Sequence, residues 1–152
     1  MKSLVHKTSF LTLVFCLLFS VSYAQDDAPK FEDGLVWHLE FIRTVDGHGD
    51  GYRDYLAANY VSILKMAKEK GIIEDYKIIG SMPGNEDDWD VLLMTAYTNF
   101  AALDNVEDKF EAMMAEMMKN DKNADERKKA VASRFEMRQI LGSKMGREMT
   151  LK

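Results

Sequence analysis

The chain holds one cysteine, Cys16, in 152 residues. That cysteine falls in an N-terminal stretch that reads as an export leader, so the remainder has no thiol and forms no disulfide. An exported fold without disulfides must be held by its core alone. Only two prolines occur, Pro29 and Pro83; the first falls in a polar tail and the second in a turn. No apolar run reaches the roughly 20 residues that a membrane-spanning helix needs. Three histidines are present, His6, His38 and His48. No nucleophile, metal or phosphate-binding constellation stands out. There is no excess of basic charge either: the formal net charge is −5 and becomes −7 once Lys2 and Lys7 leave with the leader. An acidic chain of this kind is a poor partner for nucleic acid or an anionic membrane.

What is present begins with the leader. Lys2 and Lys7 form a positive n-region, and Phe10 to Phe19 is apolar apart from Thr12. Ser22-Tyr23-Ala24 supplies small residues at the first and third positions before a cut, which places cleavage after Ala24 and makes Gln25 the new N-terminus. A retained membrane anchor is the competing reading, and the short apolar core argues against it. Lipid attachment at Cys16 is disfavoured by the bulky Phe15 before it. The expected organisation is a signal peptide over 1–24, a flexible tail over 25–34 and one domain over 35–152, periplasmic or secreted. About 128 residues suffice for one domain with its own core.

The domain reads as strand, helix, strand, strand, helix, helix, strand. Leu35 to Val45 alternates, with Trp37, Leu39 and Phe41 on one face and Val36, His38, Glu40 and Ile42 on the other. Asp46 to Gly51 carries three alternate glycines and reads as a loop. Tyr52 to Lys70 has the stripe of a helix, ended by Gly71. Ile72 to Gly80 is a second strand and Met82 to Asp88 a turn. Trp89 to Thr98 is a third strand; its run Val91-Leu92-Leu93-Met94 is apolar on both faces and belongs inside a sheet. Asn99 caps a second helix with Phe100, Leu103, Val106, Phe110, Met113 and Met117 inward. Asp125 and Glu126 open a third helix that runs to Leu141. Lys144 to Lys152 closes the sheet. The expected fold class is α+β, a ferredoxin-like βαββααβ sandwich with a four-stranded antiparallel sheet.

This order, with Val36-Trp37-His38-Leu39-Glu40-Phe41, Tyr55-Leu56-Ala57-Ala58-Asn59-Tyr60 and Asp88-Trp89-Asp90-Val91-Leu92-Leu93-Met94, resembles the dimeric α+β barrel superfamily. That group includes antibiotic-biosynthesis monooxygenase-like, EthD-like and NIPSNAP-like domains, and the chain is similar to an uncharacterised exported branch of it. The resemblance covers residues 35–152 and implies a homodimer closed sheet to sheet. The haem-degrading members use an Asn, a Trp and a His at set places. Here both histidines of the mature chain lie on the first strand and in the loop, so haem cleavage is not carried over.

His38 and Glu40 project from one strand face about 7 Å apart. A histidine beside a carboxylate suits proton transfer near neutrality, which makes the pair the candidate catalytic residues. The alternative is a polar pair with satisfied hydrogen bonds. If Trp37, Leu39 and Phe41 meet the helices, this pair points toward a dimer partner. Asn59, Tyr60, Trp89 and Tyr97 are the candidate substrate-binding residues, an orienting amide among aromatic walls with polar tips. Arg134 and Arg138, one helical turn apart, have the spacing to grip a carboxylate, but pairing with a nearby acid such as Glu136 or an Asp on another element is the preferred reading. The Asp46–Asp54 segment matches part of a calcium loop, but Ala57 stands where the bidentate Glu belongs. No metal and no cofactor is assigned. The leading expectation is an exported small-molecule-binding protein with a small apolar or aromatic ligand. The alternatives are a cofactor-independent monooxygenase- or isomerase-like enzyme, implied by the resemblance, and a non-catalytic structural or partner-binding homodimer.

Overall fold

A computed structural model describes residues 29–152; the leader, its cleavage after Ala24 and residues 25–28 of the tail lie outside the described residues. The elements are β1 (Phe31–Thr44), α1 (Gly49–Tyr55), a π turn (Leu56–Tyr60), α2 (Val61–Glu69), β2 (Asp75–Gly80), β3 (Val91–Tyr97), a 3-10 turn (Phe100–Leu103), α3 (Val106–Asn120), α4 (Ala124–Met137) and β4 (Arg138–Leu151). The sheet is antiparallel with strand order β2-β3-β1-β4. That order with a βαββαβ frame is the ferredoxin-like arrangement, and the fold is α+β as expected. β3 lies inside the sheet, where its two apolar faces require it to be. Among the described residues, no helix is long and apolar enough to cross a membrane.

The helices cover one face of the sheet, and their packing identifies which. Ile42, Val91 and Leu93 form a core cluster with Tyr52, Tyr55 and Leu56. Tyr97 forms a second with Leu64, Ala67, Ile73 and Met113. Tyr60 packs against both clusters. The helix-facing side of β1 is therefore Val36, His38, Glu40 and Ile42, with Val36 and Ile42 fully buried. Trp37, Leu39 and Phe41 take the opposite, uncovered face, so the orientation that would point His38 and Glu40 at a dimer partner does not occur. Both alternating sets carry apolar residues, and periodicity alone does not rank them.

Several boundaries also differ from the sequence reading, and β2 begins at Asp75 instead of Ile72. β1 takes in Phe31 to Gly34, paired with the end of β4. The glycine-rich segment turns only over Gly47, at φ +78°, and α1 begins at Gly49. Asn99 caps a 3-10 turn by accepting from the Ala102 amide, and the left-handed Asn105 (φ 56°) separates that turn from α3. Phe100 is consequently half exposed instead of inward. β4 starts at Arg138, paired with Thr44, instead of at Lys144. A register shift between Phe41 and Ile42 absorbs the extra residue. Gly71 does terminate the first helical stretch, at φ +66°.

Candidate functional site

The helix-facing floor of the sheet is polar at its centre. Antiparallel partners share a face, so His38 lies beside Thr95 of β3 and Glu40 beside Ser143 of β4. Thr95 is the buried polar residue among the described residues. Tyr52, Tyr55 and Tyr60 come down onto this floor from the first helix, and Arg138 enters from the start of β4.

The sequence of the first helix explains the placement of its tyrosines. Tyr52 and Tyr55 are three apart and fall on one helical face. Their rings stack with centroids 6.1 Å apart. A π turn follows, in which the Val61 amide donates to the Leu56 carbonyl, five residues back. Such turns are rare and recur at functional sites. This one carries Asn59 and Tyr60.

Arg138 organises the cluster. Its Nη1 donates to Glu40 Oε2 at 3.3 Å and to the Tyr52 hydroxyl at 3.0 Å. The Arg138 side chain is 7% exposed and that of Glu40 24%, so this ion pair is largely removed from water. Arg134, near the end of α4, donates through Nη1 to the Tyr55 hydroxyl at 3.3 Å. Burial raises the Tyr52 phenol above its usual range, against the opposing hydrogen bond from Arg138. Burial also pushes the Tyr60 phenol up to about 12; the Glu40 carboxylate adds to the rise and a hydrogen bond with Thr95 opposes it. Both phenols are thus neutral donors and acceptors at ordinary pH.

The six sequence candidates do not form one site. His38, Glu40 and Tyr60 share the helix-facing seam. Asn59 is turned to α4: Arg127 Nη1 donates to its amide oxygen at 3.4 Å and to Ser62 Oγ at 3.1 Å, while Arg127 Nε is paired with Asp121 at 2.6 Å. Tyr97 is buried in the second core cluster, where burial raises its phenol. Trp89 lies with Phe41, their rings edge to face at 6.0 Å, on a groove of about 370 Å³ that also touches Gly142 and Lys144. Sequence reasoning did not name Thr95 as part of the site, and it placed Arg138 on a helix. The signal for Thr95 was present, as a polar residue between Leu93 and Tyr97 in an otherwise apolar strand.

No protein-family model matches the chain. No curated protein matches it either. Among solved structures, the chain is similar to a dimeric protein of unknown function and ferredoxin-like fold from Bacteroides fragilis NCTC 9343, at 12% identity and a TM-score of 0.38, over 78% of this chain and 97% of that one.

Proposed function

We propose that the chain is an exported, homodimeric small-molecule-binding protein of the dimeric α+β barrel type, with its ligand site in the seam between sheet and helices. The observation that carries the ligand reading is the cluster of Glu40, Arg138, Tyr52, Tyr60 and Thr95 placed where a purely structural sandwich would bury apolar side chains. Taking an ion pair out of water costs more than packing hydrophobic residues of similar volume. Clusters of this kind are enriched where a protein handles ligands or protons. The β4 side of the polar floor has no helix over it, since Ser143 and Met145 are exposed. A ligand enters from that side. His38 stands on the same floor and is the proton-handling group if turnover occurs, with Glu40 as its neighbour.

The homodimer reading rests on the other face. Trp37, Leu39, Phe41, Leu92 and Met94 lie there with Ile79, which is 41% exposed, and no helix covers them. On the same face β4 contributes Gly142, Lys144 and Gly146, and the apolar strip is bordered by Lys144 Nζ over the Phe41 ring and Lys77 Nζ over the Trp37 ring. A contiguous apolar sheet face of this kind is an association surface. The same face on a second copy complements it.

Native mass spectrometry of the protein purified from its own host tests the ligand reading. The expected spectrum shows a noncovalent adduct below about 1 kDa, the size class of small ligands. A bare chain under conditions that preserve other complexes would overturn it.

A further inference from the structure

We infer that the seam recognises an anionic ligand group, a carboxylate, through the paired guanidinium groups of Arg134 and Arg138. This rests on the seam being the ligand site and names the class of ligand it takes.

The charges of the seam do not balance. Two guanidinium groups reach the stacked Tyr52–Tyr55 pair, and the carboxylate paired with them is that of Glu40, on Arg138. Arg134 makes no ion pair among the described residues. One positive charge at the seam is therefore without a counter-charge, which in a partly desolvated place favours an anion.

The hydrogen bonds are incomplete in the same sense. Both arginines spend Nη1 on a tyrosine hydroxyl, and Nε of each is shut off from solvent with no acceptor. Nε and the neighbouring Nη2 form the side-on fork of a guanidinium, the edge that matches the two oxygens of a carboxylate. A buried donor without an acceptor is costly, and a ligand that supplies one relieves that cost. Arg147 Nε is also without an acceptor, but its guanidinium is already paired with Asp33 and lies over Phe100. Arg134 and Arg138 are the two that bond the stacked Tyr52–Tyr55 pair. Tyr52 and Tyr55 are closed into the core cluster beneath the two guanidinium groups, so Tyr60, partly buried and packed against that cluster, is the aromatic side chain that a flat body behind the carboxylate meets.

Benzoate and its neutral isostere benzamide separate the possibilities. Each is titrated into the mature protein, stripped of any co-purified ligand, at low ionic strength. Binding is read by calorimetry and by the tyrosine ultraviolet difference spectrum, which reports the stacked pair. The expected result is benzoate binding with a tyrosine difference signal, and benzamide binding roughly ten- to hundred-fold more weakly, the range for losing charged hydrogen bonds. Arg134→Lys keeps the charge and loses the fork, and is expected to weaken benzoate by about tenfold or more. Arg134 carries no ion pair, so this variant keeps the fold; Arg138→Met is the second arm, with folding checked by circular dichroism. Equal binding of the two probes, or benzamide binding alone, overturns the carboxylate inference while leaving the seam as a ligand site. Binding of neither, with an adduct still present in native protein, also overturns it. Benzoate binding that is unchanged in Arg134→Lys and Arg138→Met would place the anion elsewhere and overturn it as well.

Discussion

Glu40 and Arg138 meet at 3.3 Å across the β1–β4 pair, on the side of the sheet that faces the helices. They are 98 residues apart in sequence, and among the described residues each is the other's ion-pair partner. Arg138 also holds Tyr52, so one guanidinium ties the last strand to the first strand and the first helix.

Removing one partner of this pair strands the other. Arg138→Met is expected to lower stability by about 2–3 kcal/mol, below the 3–5 of a fully buried pair because Glu40 keeps some water. Glu40→Gln/Arg138→Met together should recover part of that loss, since no lone charge remains. Urea unfolding of the single and double variants checks this, and strictly additive losses would show that the two side chains do not interact.

Tyr60 gives the fold an alkaline limb. Its folded-state phenol is raised to about 12 from the ordinary 10, so the folded chain holds this proton more tightly than the unfolded chain. The resulting stabilisation is complete below pH 10 and is lost as pH rises through 12. Tyr60→Phe should therefore flatten the fall in stability between those values, measured by urea melts at pH 8 and pH 11. An equal fall in variant and wild type would show that Tyr60 stays as accessible as a free phenol.

Asp121 acts in the opposite sense and at the other end of the pH scale. Hydrogen bonds from Arg127 and then from the Asn123 amide hold its carboxyl below the usual range. A depressed carboxyl contributes above its unfolded value near ~3.9 and ceases to contribute as pH falls through its folded value. Asp121→Asn is expected to remove part of the acid-side loss of stability below pH 4. The same variant should free Arg127 from its Nε anchor and loosen its contact with Asn59, read as faster amide hydrogen exchange at the start of α4.

How far the sequence carried this account depends on the range of the interaction that decides each feature. The end of the first helical stretch at Gly71, the acidic start of α4 at Asp125 and Glu126, and the interior place of β3 follow from local residue types, and all were legible. The face of β1 that meets the helices was not, because Val36 and Ile42 are as apolar as the set containing Trp37 and Phe41. The start of β4 was hidden as well: Ile140 and Leu141 continue a helical stripe, and only pairing with β1 makes that stretch a strand. That pairing also delivers Arg138 to Glu40. His38, Glu40 and Tyr60 lie together on the helix-facing side, whereas a sequence reading that turns His38 and Glu40 toward a dimer partner separates them from Tyr60. Asn59 was drawn out of that group by Arg127, and Trp89 by its place on the other face.

We propose two tasks for the two faces of one sheet, a ligand seam under the helices and a second copy on the open side. The open side holds both tryptophans, Trp37 and Trp89, and Leu39 lies between its rings. Light scattering of the mature protein at micromolar concentration, read together with tryptophan emission, tests this division most directly. The expected result is twice the chain mass for wild type, with Leu39→Glu giving one chain mass and a red-shifted emission while circular dichroism stays folded. A wild-type protein that is monomeric at that concentration, with an emission that Leu39→Glu does not change, would contradict the account.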